Sequence, residues 1–287
     1  MIAAPPFFAA YQSLVNAELD RLVIDDSSAV SKSMAYTVSA PSKRVRPVLT
    51  LLAAEVCGGT SAHAVAAAAA IELVHAASLI LDDLPSMDDA PLRRGRPANH
   101  RQFGEATAIL AAFGLLNLAY AEIARAYEPA LASRMSALVS DAVGPEGLIG
   151  GQALDLEATD HAIGFEMLER IHRGKTGALF VAAATCGALT AGAAAEPIGA
   201  LAAYAKNLGL AFQIIDDLLD VAGTTADTGK AVRADARKTT FVSFSGIDGA
   251  RQLAAELCET ADRALAPFGR KADRLRELSA FVAARRL

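Results

Sequence analysis

From Gly177 to Ala195 the chain carries no charged residue. A helix apolar all round belongs either in a membrane or at the centre of a large bundle. This stretch is long enough to span a bilayer, but it is mostly Ala, Gly and Thr, with too little Leu or Ile to drive insertion. It therefore predicts a helix enclosed by other helices, in a soluble chain with no stable membrane insertion. The rest of the sequence agrees. Long Ala/Leu/Glu/Arg runs favour helix, the 287 residues are 53% hydrophobic with few aromatics, and period-2 alternation is nearly absent. Helices are expected from Pro47 to Cys57, His63 to Asp83, Glu105 to about Tyr127 and Leu131 to Val143, with another opening over Gly147 to Leu156. More are expected from Phe165 to Ala184, Ile198 to Val221, Ala250 to Ala266 and Arg270 to Arg285. No repeat or linker divides the chain, so residues 1–287 are expected to form one all-α domain.

Composition removes several function classes. Net charge is −5 with no basic block, which leaves nucleic-acid binding without a footprint. Cys57, Cys186 and Cys258 lie far apart and are odd in number, against a disulfide framework or a zinc site and in keeping with a cytoplasmic location. Met1 to Asp20 has no basic residue before its apolar part and contains Pro5-Pro6, a poor signal peptide.

Two acidic clusters carry the chemistry. Asp216 and Asp220 are four apart, so on a helix they project from one face, with Asp217 beside them. Their neighbours are Phe212, Gln213, Ile214, Ile215, Leu218 and Leu219, which argues for a largely buried helix whose acids open on a cavity. Carboxylates that close repel one another unless a cation sits among them. The other cluster is Asp82-Asp83-Leu84-Pro85-Ser86-Met87-Asp88-Asp89. On an ideal helix Asp82 and Asp88 would point roughly 120° apart. Pro85 resolves this by breaking the helix, so that a short loop swings Asp88 back towards Asp82.

Cations follow. Arg93-Arg94-Gly95 comes directly after the acids, Lys43 and Arg46 lie early, Lys175-Thr176-Gly177 in the middle, and Lys230 and Lys238 after the second cluster. Magnesium-binding acids beside paired arginines suggest a diphosphate, bridged by metal at some oxygens and gripped by guanidinium forks at others.

These residues resemble the trans-isoprenyl diphosphate synthase family. The likeness runs from Lys43 to about Gly246 and includes Glu72-Leu73-Val74-His75, Ser78 to Asp83, Arg93-Arg94-Gly95-Arg96-Pro97, Phe103-Gly104-Glu105-Ala106, Gly150-Gly151-Gln152 with Asp155, Lys175-Thr176-Gly177 and Phe212 to Asp220. The resemblance implies an antiparallel helical bundle around a deep central cavity, usually a homodimer. It implies three magnesium ions with substrate bound, Asp82, Asp83 and Asp88 holding ions on an allylic diphosphate (dimethylallyl, geranyl or farnesyl), and Asp216 and Asp220 holding another. Arg93, Lys175, Gln213 and Lys230 would contact that diphosphate, with Lys238 a further substrate contact and Thr176 and Gln213 offering dipoles to an allylic cation. Lys43, Arg46, His75 and Arg94 would hold isopentenyl diphosphate. Two departures stand out: Pro41-Ser42 replaces the usual Gly-Gly, and Ala112-Phe113-Gly114 replaces Gly-Asp-Ala.

Product length should be set beneath the first cluster. Ala77 and Ser78 are small where farnesyl synthases carry an aromatic, Val74 and Ile71 lie further down as a possible floor, and Phe113 is placed to intrude from the next helix. Geranylgeranyl diphosphate is the expected product and farnesyl diphosphate the alternative. A class I terpene cyclase would pair one aspartate motif with an Asn/Ser/Glu-type triad, and a non-catalytic subunit would have damaged motifs. This chain has neither feature.

Overall fold

The structure is a computed structural model that describes residues 5–24, 27–222 and 238–284. The chain is built of helices, in order α1 (Pro6–Leu22), α2 (Ala29–Val38), α3 (Val45–Val56) and α4 (Ser61–Asp82), then a two-stranded hairpin of β1 (Leu92–Arg93) and β2 (Arg96–Pro97). Next come α5 (Asn99–Phe103), α6 (Glu105–Ala126), α7 (Pro129–Val143), α8 (Leu148–Glu157) and α9 (Phe165–His172). A π turn (Arg173–Gly177) joins α9 to α10 (Ala178–Thr190), and α11 (Ala195–Ala222), α12 (Phe241–Ala264), a 3-10 segment (Ala266–Ala272) and α13 (Asp273–Ala283) complete the chain.

The uncharged stretch is the hub. Nearly every residue of α10 is buried, and the helix packs against α3, α4, α7 and α11. Its small residues have a geometric reason: a Cβ on Gly187 would sit 2.1 Å from the Thr50 carbonyl oxygen, so α3 passes too closely for any side chain there. Around this hub the buried apolar side chains form one contiguous cluster. Three helices, Ser61–Asp82, Glu105–Ala126 and Ala195–Val221, are long and apolar enough to cross a membrane by length and composition, yet α4 keeps 72% of its most apolar window inside the protein.

The structure departs from the expected elements in several places. Two helices precede the first one expected: Pro5 and Pro6 open α1, which buries Phe8, Tyr11, Val15 and Leu19 at helical spacing, and Ser28 caps α2 by accepting from the Ser31 amide. The hairpin was not anticipated either. Its two central residues, Arg94 and Gly95, have φ of 55° and 74°, the left-handed pair of a tight two-residue hairpin. The helix expected over Phe165–Ala184 is interrupted by the π turn, where Gly151 of α8 presses on the backbone, and a Cβ at Gly151 would meet the Lys175 nitrogen at 2.1 Å. At the C-terminal end, α12 starts earlier than expected and bends at Gly246 (φ 68°), and the last helix begins only after the 3-10 segment.

Candidate active site

The first acidic cluster behaves as its proline requires. Helix α4 ends at Asp82, and the chain turns back through Pro85 so that the Asp88 amide donates to the Asp82 carbonyl (3.0 Å) and the Asp89 amide to the Leu84 carbonyl (3.0 Å). Asp88 is thereby returned to the end of α4 that carries Asp82.

A chain of alternating charge then joins the acids. Lys175 Nζ donates to Asp82 Oδ1 (3.2 Å) and Asp155 Oδ2 (2.7 Å), and Lys238 Nζ donates to the same Asp155 oxygen (2.9 Å) and to Asp88 Oδ1 (2.8 Å). Burial disfavours both ammonium charges, but the carboxylates outweigh it and hold the lysine protons more tightly than usual. Burial works against the Asp155 carboxylate too, and Lys175 and Lys238 overcome it and keep its pKa below the ordinary value. Asp155, beside the Gly-Gly-Gln stretch, had no expected role from the sequence. Its signal is helical spacing: Gly151 is the point at which α8 touches the π turn, and Asp155, four residues on, shares that face.

Asp83, expected among the metal ligands, is placed differently. It is 2% exposed, and both its oxygens accept from Arg93 Nε (2.9 and 3.0 Å), with Arg93 Nη2 also donating to it. The reason is position: Asp83 follows Asp82 by one residue, so it leaves α4 on another side, beneath the hairpin that supplies Arg93. Asp82 lies 3.6 Å from the same guanidinium.

In the second cluster, Asp216 and Asp220 are half-buried on α11, one turn apart, whereas Asp217 is buried. Asp217 accepts from Gln213 Nε2 (3.0 Å) and from the Phe241 amide (3.0 Å), which ties α11 to the first turn of α12. The crowding of three carboxylates is thus relieved by turning one of them inwards. Thr176 Oγ1 donates to Gln213 Oε1 (2.9 Å), so the two residues expected to offer dipoles form one chain with Asp217.

A basic group converges beside the acids. Arg46 Nη1 lies 3.4 Å from His75 Nε2, and its guanidinium covers the Phe180 ring at 4.6 Å. Burial, then Arg46, Arg94, Arg93 and Arg44, push the His75 imidazole well below its ordinary pKa, so it is neutral at pH 7. Burial also lowers Arg94, opposed by Glu72 and aided by Arg44 and Arg93. Lys43 is exposed at the edge. The loop below it is set by Arg44, which sequence reasoning passed over. Arg44 takes a left-handed conformation (φ 51°), is buried, and pairs with Glu72 (2.6 Å), and its amide donates to Ser42 Oγ (3.3 Å). Ser42, one of the two departures from Gly-Gly, is therefore part of the loop's own bonding.

Of the length-setting residues, Ile71, Val74 and Ala77 are buried along α4 and Ser78 is half-buried, its hydroxyl donating to the His75 carbonyl (2.8 Å). Phe113, expected to intrude, is 64% exposed: the residues α6 buries are Ala108, Ala111, Ala112, Leu115, Ala119, Glu122 and Ile123, and Phe113 falls outside that face. It forms no wall within this chain. Lys230 lies outside the described residues.

Among the described residues, no three of His, Cys, Asp or Glu stand close enough to hold an ion alone. Magnesium commonly takes only one or two carboxylates and completes its shell with substrate phosphate oxygens, so hard oxygen donors at Asp82, Asp88, Asp216 and Asp220 suit it.

The family model described as polyprenyl synthetase matches residues 27–264. A geranylgeranyl pyrophosphate synthase of Arabidopsis thaliana (number 11, chloroplastic) is 41% identical over 266 residues, covering 89% of this chain and 74% of that protein. The farnesyl diphosphate synthase of Geobacillus stearothermophilus is 39% identical over 272 residues, covering 92% of each. Among solved structures, a geranylgeranyl pyrophosphate synthetase from Pyrococcus horikoshii superposes with a TM-score of 0.88 at 30% identity, covering 98% of both chains.

Proposed function

The chain belongs to the polyprenyl synthetase family and is a prenyltransferase of the geranylgeranyl/farnesyl diphosphate synthase type, and we propose that it extends allylic diphosphates with isopentenyl diphosphate as far as the twenty-carbon geranylgeranyl diphosphate. The size of the residues beneath the first acidic cluster carries the length assignment. Ala77 is buried and small, and Ser78 turns its hydroxyl back onto its own helix. A helical turn rises about 5.4 Å, close to one extended isoprene unit, so a floor at Val74 or Ile71 lies one or two turns lower than an aromatic at 77 would.

The roles follow from the charges. Asp82 and Asp88 would hold magnesium together with the allylic diphosphate, and Asp216 and Asp220 would hold a further ion, three ions in all with substrate bound; Asp83 and Asp217 would position Arg93 and α12 instead. Magnesium belongs with this family, and when bound it neutralises charge developing on the departing diphosphate. Lys175 and Lys238, which here bridge carboxylates, are the groups available to the phosphate oxygens once other cations meet those acids, and Arg93 and Lys230 join them. Lys43, Arg46, His75 and Arg94 take the diphosphate of isopentenyl diphosphate, whose double bond then attacks the allylic carbon as the allylic diphosphate departs, the released diphosphate taking up the proton lost from the lengthened chain. Thr176 and Gln213 present dipoles towards that carbon, and the apolar lining keeps water from the cation.

We further place the enzyme in the cytoplasm as a homodimer. The outward face of α6, where Leu110 and Phe113 are 56% and 64% exposed, supports that interface.

Purified protein with magnesium, labelled isopentenyl diphosphate and each of the dimethylallyl, geranyl and farnesyl primers tests the assignment. A twenty-carbon product is expected from all three; arrest at fifteen carbons overturns it. Ala77→Tyr should shorten the product, and an unchanged length would mean that this wall of α4 does not face the growing chain.

A further inference from the structure

One buried titratable side chain near the site has no part in the roles above. His100, on the short helix α5, has a side chain only 3% exposed, and among the described residues neither of its ring nitrogens has a hydrogen-bond partner. A buried imidazole in that condition is uncommon, because both nitrogens lose water and gain nothing. An acidic neighbour is Asp89: His100 Nε2 lies 4.0 Å from Asp89 Oδ1, beyond hydrogen-bond reach but within a small displacement of it. Asp89 belongs to the turn that follows Pro85. It takes a left-handed conformation (φ 44°), which Asp tolerates better than most residues, and it is also gripped by Arg101 at 2.8 Å. The residue before it is Asp88.

We propose that His100 is a positioning residue for the first acidic loop: when magnesium and diphosphate engage Asp88, His100 Nε2–H donates to Asp89 and fixes the loop in its metal-holding position. This rests on the assignment of Asp88 as a metal ligand above. Hydrogen bonds that orient the groups around a bound metal are worth about 10–100-fold in metal affinity. The loop is already closed at its base by the Asp88 and Asp89 amides. A hydrogen bond at Asp89 adds a second side-chain restraint beside Arg101, and it satisfies the imidazole at the same time.

The first readout needs no turnover. The full chain has five histidines, so in protein labelled with 15N-histidine the His100 signal can be assigned by its loss in His100→Phe. Adding magnesium with inorganic diphosphate should move the His100 Nε2 resonance in the wild type and leave it unmoved in Asp89→Ala. A His100 signal indifferent to magnesium diphosphate in the wild type overturns the proposal; should His100→Phe not fold, His100→Gln serves for the assignment. The second readout is the magnesium concentration giving half-maximal turnover with geranyl and isopentenyl diphosphates. His100→Phe and Asp89→Ala should each raise it about tenfold, and the double variant should be no worse than the weaker single one. Effects that multiply in the double variant also overturn it. Asp88→Asn separates the two levels of the argument. If that substitution leaves the magnesium requirement unchanged, the assignment of Asp88 has failed; if it raises the requirement while His100 stays indifferent, only the role of His100 has failed.

Discussion

Two charged regions meet at Arg93, and they solve opposite problems. On one side the sequence Asp82, Lys175, Asp155, Lys238, Asp88 alternates in sign, and at Lys175, Asp155 and Lys238 the burial that opposes each charge is outweighed by its oppositely charged neighbours. On the other side His75 stands among Arg44, Arg46, Arg93 and Arg94, where burial and like charge act in the same direction and drive its proton off. The first region is balanced as it stands and must exchange partners when substrate and metal arrive. The second is short of negative charge and is ready for an anion without rearrangement. On the roles proposed above, one binding site would recruit its diphosphate through added cations and the other would recruit it directly.

The largest effect should come from breaking the alternating chain at a metal-holding end. Asp82→Ala removes a carboxylate from the place where charge develops on the leaving diphosphate, and kcat should fall on the order of 10³-fold, the scale seen for deleting a group that stabilises transition-state charge. The KM for isopentenyl diphosphate should stay near the wild-type value. Steady-state kinetics with both substrates varied checks this, and a KM for isopentenyl diphosphate that rises in step would mean the two regions are one.

A smaller effect is expected on the basic side. Arg46→Met keeps much of the side-chain volume over Phe180 and removes the charge beside His75. A charge-assisted hydrogen bond contributes about 1.5–3 kcal/mol, so kcat/KM for isopentenyl diphosphate should drop roughly 10–100-fold. The KM for the allylic substrate should move little; an equal loss for both substrates would erase the contrast.

The same contrast explains what could be read from the sequence. The helical class followed from periodicity and from the uncharged stretch at Gly177–Ala195, because a helix without a polar face has few places to go. The bend at Pro85 followed from the angle between Asp82 and Asp88. Features that depend on which side chain turns inwards were hidden. Asp83 was expected to be a ligand, yet it is held by Arg93, and Asp217, flanking the second pair, accepts from the first amide of α12. Spacing shows that an arginine and a glutamine stand nearby in sequence, but not that they turn these acids inwards. Arg44 looked like one more basic residue of a loop, and only the approach of α4 gives it Glu72. Phe113 was placed inwards from its helix alone, without the phase of α6 against α4. Helices α1 and α2 were not expected: the start of α1 is marked by Pro5-Pro6, which the sequence offered only as an argument against a signal peptide, and the start of α2 by a single capping serine, Ser28.

The smallest predicted effect isolates the basic region in the absence of substrate. In the unfolded chain His75 titrates near 6.5, and in the folded protein its pKa lies well below that. As pH falls through about 6.5 the unfolded state takes up a proton that the folded state refuses, so stability declines on the acid side and levels off above about 6.5. The slope due to one such group is at most about 1.4 kcal/mol per pH unit. Denaturant unfolding between pH 5.5 and 7.5 should therefore show a steeper acid-side decline in the wild type than in His75→Gln. Saturating inorganic diphosphate should partly flatten the wild-type curve, because an anion among the arginines removes the repulsion that they add to burial in keeping His75 neutral. The alternating chain cannot imitate this: Asp155 is held below its ordinary pKa and loses its contribution only at more acidic pH, and the lysines titrate far above the window. If His75→Gln and the wild type decline in parallel from pH 6.5 downward, the arginines do not act on His75 as a group, and the basic side is no more prepared for an anion than the acidic one.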